Sequence, residues 1–214
     1  KRRKALLARA GERDFLIVED DYEFEMSFLK AASPSLKSLD REGRVIHVGS
    51  FSKSVFPGLR LGYLVASEAF IREARALRAT VLRHPPGHVQ RTLAYFLSLG
   101  HYDAMLNRMA AAYRRRRTVM EEAIRAQGLV VAGAGGFGGS SFWMVASEGV
   151  DTEALALRLR TRGVLIEPGR VFFVPPNAPD NYYRLAYSSI AQTRIPEGIA
   201  LIAGALHGSG PKGP

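Results

Sequence analysis

The stretch at residues 45–65, VIHVGSFSKSVFPGLRLGYLV, decides how the rest of the chain is interpreted. It opens with a β-branched apolar run at residues 45–48, which predicts a buried strand, and it closes with a second strand-like run at residues 61–65. Between the two runs lies a short polar loop that carries Ser50, Ser52, Lys53 and Arg60. Loops held between rigid strands often carry chemistry, so this loop is the first candidate site.

The composition is that of an ordinary globular protein and excludes several classes. The 214 residues are enough for one large domain or two small ones, and 47% of them are hydrophobic. No apolar run approaches the ~20 residues that a membrane span needs. The basic start, KRRKALLARA, has too short an apolar core for a signal peptide. The chain has no cysteine, which excludes disulfides, thiolate zinc sites and cysteine nucleophiles, and we therefore expect a cytoplasmic protein.

The net charge of +10 raises the possibility of a nucleic-acid-binding module. The basic clusters lie at residues 1–4, 114–117 and 158–162, mostly on predicted helices, where arginine is a good helix former. No zinc finger, aromatic RNA-binding signature or strong helix-turn-helix pattern accompanies them. A basic helix surface or an anion-attracting site explains the charge more simply, and direct nucleic-acid binding stays open as an alternative.

The first hundred residues show a β/α pattern. A helix is predicted at residues 1–11, with Gly11 as its stop, and a buried strand at residues 15–18. That strand leads into the polar sequence Glu19-Asp20-Asp21-Tyr22, and ligands bind at the carboxyl ends of strands in open α/β sheets. An irregular connection is predicted at residues 23–44, and helices are predicted at residues 69–82 and 90–99.

The second half of the chain differs in pattern. A long helix at residues 101–127 is a natural bridge between two domains, and the glycine-rich residues 133–139 match no dinucleotide or P-loop fingerprint. Further predicted elements are strands at residues 140–146, 164–166 and 182–187, a helix at residues 152–162 capped by Asp151, and a terminal helix at residues 195–206. We divide the chain into a large-domain part at residues 1–100, a connecting helix at 101–127, a small domain at 128–207 and a disordered tail at 208–214.

Three features together carry a family resemblance: the acids and tyrosine after one strand, the SFSK loop with Arg60, and Arg184 in YYRLAYSS. They resemble the fold type I pyridoxal-phosphate enzymes of aminotransferase class I/II. The sequences EDDY and GRVIHVGSFSKSVFPGLRLGYLV are most similar to the aminotransferase-like domain of MocR/PdxR regulators of the GntR group. In those regulators a DNA-binding winged helix precedes this domain. The resemblance runs from about residue 4 to residue 206.

The resemblance implies an α/β fold. This chain would hold the latter part of a pyridoxal-phosphate transferase large domain, with a mixed, mostly parallel sheet, followed by a small α+β C-terminal domain. The first half of the family domain, with its glycine-rich phosphate loop, would be missing here. A homodimer is expected from the resemblance alone.

The resemblance also assigns roles to residues. Lys53 would form a Schiff base with the aldehyde of pyridoxal 5'-phosphate and would then move the Cα proton. Asp20, with Asp21 as the alternative, would face the pyridine nitrogen, and Tyr22 would donate to the phenolate oxygen. Phosphate would be held by Ser50, Ser52 and Arg60, since the guanidinium fork suits phosphate geometry.

Arg184 would clamp the carboxylate of the substrate, an amino acid or a 2-oxo acid. The histidines His84, His88 and His101 lack metal-ligand spacing, and we expect no metal site. We assign Phe142 and Trp143 to the small-domain core.

Two functions follow from the resemblance. The first is amino-group transfer between an amino acid and a 2-oxo acid, used as effector sensing in a MocR-type regulator that contacts DNA only through a preceding domain. The second is the same chemistry in a free-standing metabolic aminotransferase. No membrane partner is expected.

Overall fold

A computed structural model describes residues 1–21, 28–29, 33–133 and 138–208. The chain forms two compact units. The first contains the described residues up to Arg108 except residues 28 and 29, and the second contains those two and the described residues from Met109 onward. No helix within these ranges is long and apolar enough to cross a bilayer. Tyr22 lies outside the described residues, as do residues 134–137 of the glycine-rich segment and residues 209–214 of the tail.

The first unit is built on a three-stranded sheet in the order β1-β2-β3. Its strands are β1 (Ile17–Asp20), β2 (Val45–Ser50) and β3 (Gly62–Val65). Strands β1 and β2 run parallel, and β3 is antiparallel to β2. Its helices are α1 (Arg2–Arg13), α2 (Leu36–Leu39), α3 (Glu68–Val81) and α4 (Gly87–Ser98). The mixed sheet confirms the α/β class.

Three predictions in this unit differ from the structure in detail. Gly11 does not stop α1, which continues to Arg13 and ends at Asp14 in the left-handed conformation. The predicted buried strand at residues 15–18 is displaced: β1 begins at Ile17, whose amide donates to Arg44 O at 2.9 Å, and Val18 is exposed. The apolar run was a correct sign of a strand, but burial requires an element packed against it, which a strand's own sequence cannot supply. The segment assigned to an irregular connection also contains the short helix α2.

Helix α5 (His101–Ala126) begins in the first unit and ends in the second. The second unit contains a fully antiparallel four-stranded sheet in the order β4-β5-β7-β6. Its strands are β4 (Val130–Val131), β5 (Ser141–Val145), β6 (Glu167–Pro168) and β7 (Tyr182–Ala186), and its helices are α6 (Thr152–Arg160) and α7 (Ile195–His207). The predicted strands at residues 140–146 and 182–187 and the two predicted helices correspond to β5, β7, α6 and α7, and β4 is a further strand that the sequence did not predict. The predicted strand at residues 164–166 is wrong, because the ladder with β7 starts only at Glu167.

One face of this sheet makes the core of the second unit. The buried residues of β5 and β7 pack against the apolar faces of the helices. The strands contribute Phe142, Met144, Tyr183 and Leu185, and the helices contribute residues that include Met120, Leu155 and Ile199. Helix α6 begins where predicted, because the Asp151 carboxylate accepts hydrogen bonds from the amides of Glu153 and Ala154 at 2.8 and 3.1 Å. Thr152 is buried beside it and donates to two carbonyls at the start of β7.

The arginine run at residues 114–117 is not a plain basic surface. Arg114 donates to Phe28 O through Nε at 2.8 Å and through Nη2 at 2.5 Å, and Arg116 donates to Ser188 O. Arg117 is buried and donates to Gly138 O at 3.0 Å. Three members of the run thus satisfy carbonyls within the second unit, because a guanidinium can reach past the helix that carries it.

Candidate active site

The candidate residues of the first unit meet at one edge of its sheet. Asp20 ends β1 and Ser50 ends β2, and these parallel strands place their carboxyl ends at the same edge. Ser50 pairs with Gly62 at the start of the antiparallel β3, so the chain just before β3 arrives at that edge too. The sheet therefore gathers Asp20, Ser50, Ser52, Lys53 and Arg60, residues that are separated by up to forty positions in the sequence.

Local hydrogen bonds hold the turn that carries Lys53. The Ser50 hydroxyl accepts from the Ser52 amide at 3.2 Å, and the Phe51 amide donates to Leu61 O at 3.1 Å. Next to the lysine, Ser54 is buried and accepts a hydrogen bond from the Tyr102 hydroxyl at 3.0 Å. Because its neighbours on both sides are fixed, the exposed Lys53 side chain starts from a defined backbone position.

Arg60 has an unusual backbone. It follows a single 3₁₀ turn at Pro57–Leu59 and adopts φ 51° and ψ 36°, the left-handed conformation that a side-chain-bearing residue adopts only at some cost. Strain of this kind persists where the surrounding structure determines it, and it is concentrated at functional sites. Arg60 is exposed, so its guanidinium is accessible to an anion.

The two acids that were alternatives in the sequence lie on opposite faces of the sheet. Asp20 pairs with Val48 and so shares a face with Ser50, because alternate residues of a strand point the same way. The carboxylate of Asp21 instead lies within 4.8 Å of the ligand atoms of Glu19 and His47. The structure therefore separates these acids, and the pairing of β1 with β2 identifies Asp20 as the one that shares a face with Ser50.

Glu19 has a structural role next to Asp20. One of its oxygens accepts from the Leu36 amide at 2.6 Å, the other accepts from the Lys37 amide at 3.0 Å, and His47 Nδ1 lies 3.0 Å away. Burial by itself would raise the pKa of Glu19, but these hydrogen bonds outweigh it and lower the pKa overall. Glu19, Asp21 and His47 could together approach a cation, but both Glu19 oxygens already accept hydrogen bonds.

Arg184 lies in the second unit, at the centre of the sheet face opposite the core. Its Nε donates to Glu167 Oε2 at 2.5 Å, and its guanidinium carbon lies 5.9 Å from the centre of the Phe172 ring. Trp143 in the neighbouring strand β5 lies directly opposite Arg184, and its ring stacks on that of Tyr182 with ring centres 5.8 Å apart. This Arg184 cluster, consisting of Arg184, Glu167, Trp143, Phe172 and Tyr182, combines a cation, a carboxylate and aromatic rings on one surface.

Sequence reasoning missed most of this cluster. Phe142 is in the core as predicted, but Trp143 is not, because it projects to the opposite face of β5. The period-two alternation of SFWMV was the available signal, since it places neighbouring residues on opposite faces. Glu167 carried no comparable signal, because its contact with Arg184 depends on the register of β6 against β7.

The residues at the sheet edge suit pyridoxal 5'-phosphate by the chemistry of their side chains. An amine is present for an aldehyde, a carboxylate for a pyridinium nitrogen, and two hydroxyls with a guanidinium for a phosphate. Among the described residues these groups converge on one edge of one sheet.

Comparisons with known proteins agree with this chemistry. The family model "Aminotransferase class I and II" matches residues 4–200. The chain is 72% identical over 206 residues to the HTH-type transcriptional regulator TauR of Rhodobacter capsulatus, which covers 96% of this chain and 43% of the regulator. It is 32% identical to aromatic-amino-acid aminotransferase 1 of Thermococcus litoralis, which covers 95% of this chain and 49% of the enzyme.

Solved structures of aminotransferases also resemble this chain. Kynurenine aminotransferase from Pyrococcus horikoshii superposes with a TM-score of 0.86 at 29% identity, over 98% of this chain and 52% of that one. The α-aminoadipate aminotransferase LysN from Thermus thermophilus, solved with N-(5'-phosphopyridoxyl)-L-leucine, gives 0.84 at 31% identity, over 96% of this chain and 54% of that one. The chain thus spans about half the length of the relatives that it matches.

Proposed function

This chain belongs to the aminotransferase class I and II family, and from that premise we propose that it is the lysine-bearing and C-terminal part of an effector-sensing domain in a MocR-type transcriptional regulator. The 72% identity to an HTH-type regulator supports this context over that of a metabolic enzyme. In the proposed protein, DNA is contacted by a separate N-terminal domain, and the aminotransferase-type domain binds pyridoxal 5'-phosphate and an amino compound. We also propose that the full-length protein is a homodimer.

The residues divide the work by their chemistry. Lys53 would hold the cofactor at its aldehyde carbon, and its amine would accept and return the Cα proton of the bound amino acid. Asp20 would face the pyridine nitrogen and favour its protonated form, and Ser50, Ser52 and Arg60 would hold the phosphate. When bound, the cofactor supplies an electron sink for the carbon that loses the proton. Tyr22 remains the proposed donor to the phenolate oxygen.

The observation that carries this proposal is the convergence of the lysine, the carboxylate and the phosphate-type donors on one edge of the first sheet. In the second unit, the exposed edge of Arg184 suits a carboxylate ligand. The arginine run on α5 does not support direct DNA binding, because Arg114, Arg116 and Arg117 donate to carbonyls of the protein. A salt-dependent DNA affinity of this chain alone would favour that alternative.

Cofactor attachment is tested on the full-length protein. Pyridoxal 5'-phosphate should produce a new visible absorbance band, and borohydride should fix the cofactor onto the peptide that contains Lys53. Lys53→Ala should abolish the band and the labelled peptide, whereas the control Lys4→Ala, on the exposed surface of α1, should retain both. A band that persists in Lys53→Ala would show that another residue attaches the cofactor.

Sensing is tested by DNA binding. Amino compounds should change the affinity of the cofactor-loaded regulator for its operator, and Lys53→Ala should remove this response while leaving basal DNA binding in place. A winged-helix segment encoded upstream of Lys1 would agree with the sensor, and its absence would contradict it.

A free-standing aminotransferase is the second candidate. The 32% identity to an aromatic-amino-acid aminotransferase favours it. Steady turnover of an amino donor with a 2-oxo acid, measured on the full-length protein, would support this candidate over a pure sensor.

A further inference from the structure

We propose that Glu167 is a positioning residue for Arg184, holding the guanidinium through Nε so that its Nη1 and Nη2 edge faces a ligand carboxylate. The inference rests on the proposed function, in which Arg184 binds that carboxylate. It concerns a residue whose sequence context, IEPG, gave no sign of a role.

The contact is set by the register of two strands. Glu167 in β6 lies directly opposite Arg184 in β7, and Glu167 Oε2 accepts from Arg184 Nε at 2.5 Å. The ring of Phe172 lies 5.9 Å from the guanidinium carbon. Glu167 therefore fixes one edge of the guanidinium, and the aromatic ring adds a second contact.

A close backbone approach keeps Glu167 in this place. Gly169, just after β6, passes very close to Tyr182 and Trp143. A Cβ at this position would lie 2.6 Å from Tyr182 O and 2.7 Å from Trp143 Cη2. Only glycine allows the chain after β6 to pass at this distance. The approach thus couples the position of the carboxylate to the strand that carries Arg184.

Stability does not explain the ion pair. The side chains of Arg184 and Glu167 are 38% and 44% exposed, and ion pairs this accessible contribute little to folding because water screens them. An arginine does, however, lose considerable rotamer freedom when it binds a ligand. An acceptor that already holds the side chain reduces that loss, and affinity increases through preorganisation.

The remaining donors suit a carboxylate. A guanidinium has five N–H groups, and Glu167 uses the one on Nε. Across the described ranges, Glu167 is the one hydrogen-bond acceptor of the Arg184 side chain, so Nη1 and Nη2 can form the two parallel hydrogen bonds that a carboxylate accepts. The aromatic rings around Arg184 suit a probe that itself carries an aromatic ring; they belong to Trp143, Phe172 and Tyr182.

The test measures binding of 3-phenylpropionate, a carboxylate that cannot be transaminated, to the cofactor-loaded full-length protein by calorimetry. Glu167→Ala should weaken binding about tenfold, the scale expected when one long side chain loses its preorganisation. Glu167→Gln keeps an acceptor for Nε and should stay within about threefold of the unmodified protein. The control Glu148→Ala, on an exposed turn, should bind as the unmodified protein does.

Two further measurements separate the possible failures. The uncharged amide, 3-phenylpropanamide, should bind Glu167→Ala and the unmodified protein equally, since it lacks the carboxylate that Arg184 recognises. If Arg184→Gln weakens phenylpropionate binding but Glu167→Ala leaves it equal or tighter, the positioning role is wrong and the proposed function stands. If Arg184→Gln itself has no effect, the carboxylate assignment falls and the inference falls with it.

Discussion

Replacing Arg117 with methionine should destabilise the second unit by about 3 kcal/mol. The Arg117 side chain is only 7% exposed, and its Nη1 donates to Gly138 O at 3.0 Å. Its Nε lies 2.8 Å from Glu121 Oε1, and its guanidinium carbon lies 4.5 Å from the centre of the Phe142 ring. Methionine preserves most of the apolar stem and removes these contacts together with the hydrogen bond from Nη1 to the Tyr187 hydroxyl at 3.5 Å.

The magnitude follows from the exposure of each partner. The buried charged hydrogen bond to Gly138 O contributes about 1.5–3 kcal/mol, and the desolvated cation–π contact with Phe142 contributes about 1–2 kcal/mol. The pair with Glu121 adds at most about 1 kcal/mol, because that carboxylate is 43% exposed and water can replace the arginine. Since such contributions are not additive, we expect a total of about 3 kcal/mol.

Urea unfolding followed by the fluorescence of Trp143, the one tryptophan of the chain, reports on this unit. A loss of this size lowers the midpoint by about 1 M or more. Arg117→Lys retains the charge but not the guanidinium fork, so its urea midpoint should lie between those of the unmodified protein and Arg117→Met. The matched control is Arg115→Met on the exposed face of the same helix, and it should change stability by less than ~0.5 kcal/mol. Equal midpoints for Arg117→Met and Arg115→Met would refute the structural role of Arg117.

Three further predictions concern the loop before β2, the approach after β6 and the candidate phosphate donor. The Asp40 side chain is 2% exposed, and burial would raise its pKa, but hydrogen bonds from the Val45 amide, the Lys37 side chain and the amides of Arg44 and Glu42 lower it to about 2. Asp40→Asn should therefore cost about 2 kcal/mol at pH 7. This difference should shrink as pH falls from about 4 through 2, because the carboxylate of the folded protein becomes protonated only around its lowered pKa of about 2. A pH-independent difference in urea midpoints would contradict this. Gly169→Ala should lower the free energy of unfolding of the second unit by about 1–3 kcal/mol, because the new Cβ would contact backbone atoms. The control Gly198→Ala, which has open space around it in α7, should raise that free energy by about 0.5–1 kcal/mol. Both are measured as urea midpoints. Arg60→Gly keeps the left-handed backbone without strain and removes only the side chain. It should weaken pyridoxal 5'-phosphate binding about 10–100-fold in an absorbance titration of the full-length protein. An unchanged affinity would show that Arg60 does not hold the phosphate.

Much of the fold was predictable because the signals that begin and end elements are local. Asp151 caps α6 through amides two and three residues away, and Gly128 adopts the positive φ expected just after α5. The same locality explains the errors. Gly11 resembles a stop in sequence, yet α1 continues through it to Arg13.

The candidate residues of the lysine loop could be identified from the sequence alone. They lie within one short segment between two strands, and their types match the chemistry of a known family. Which other residues belong beside a functional group was decided only by the tertiary structure. Asp20 shares a face with Ser50 because β1 pairs with β2 in one register, whereas Asp21 lies close to Glu19 and His47. Glu167 meets Arg184 from 17 positions away because two strands pair in one register. Such contacts depend on the pairing of distant segments, and a side chain's own sequence neighbourhood does not encode which distant group it will face.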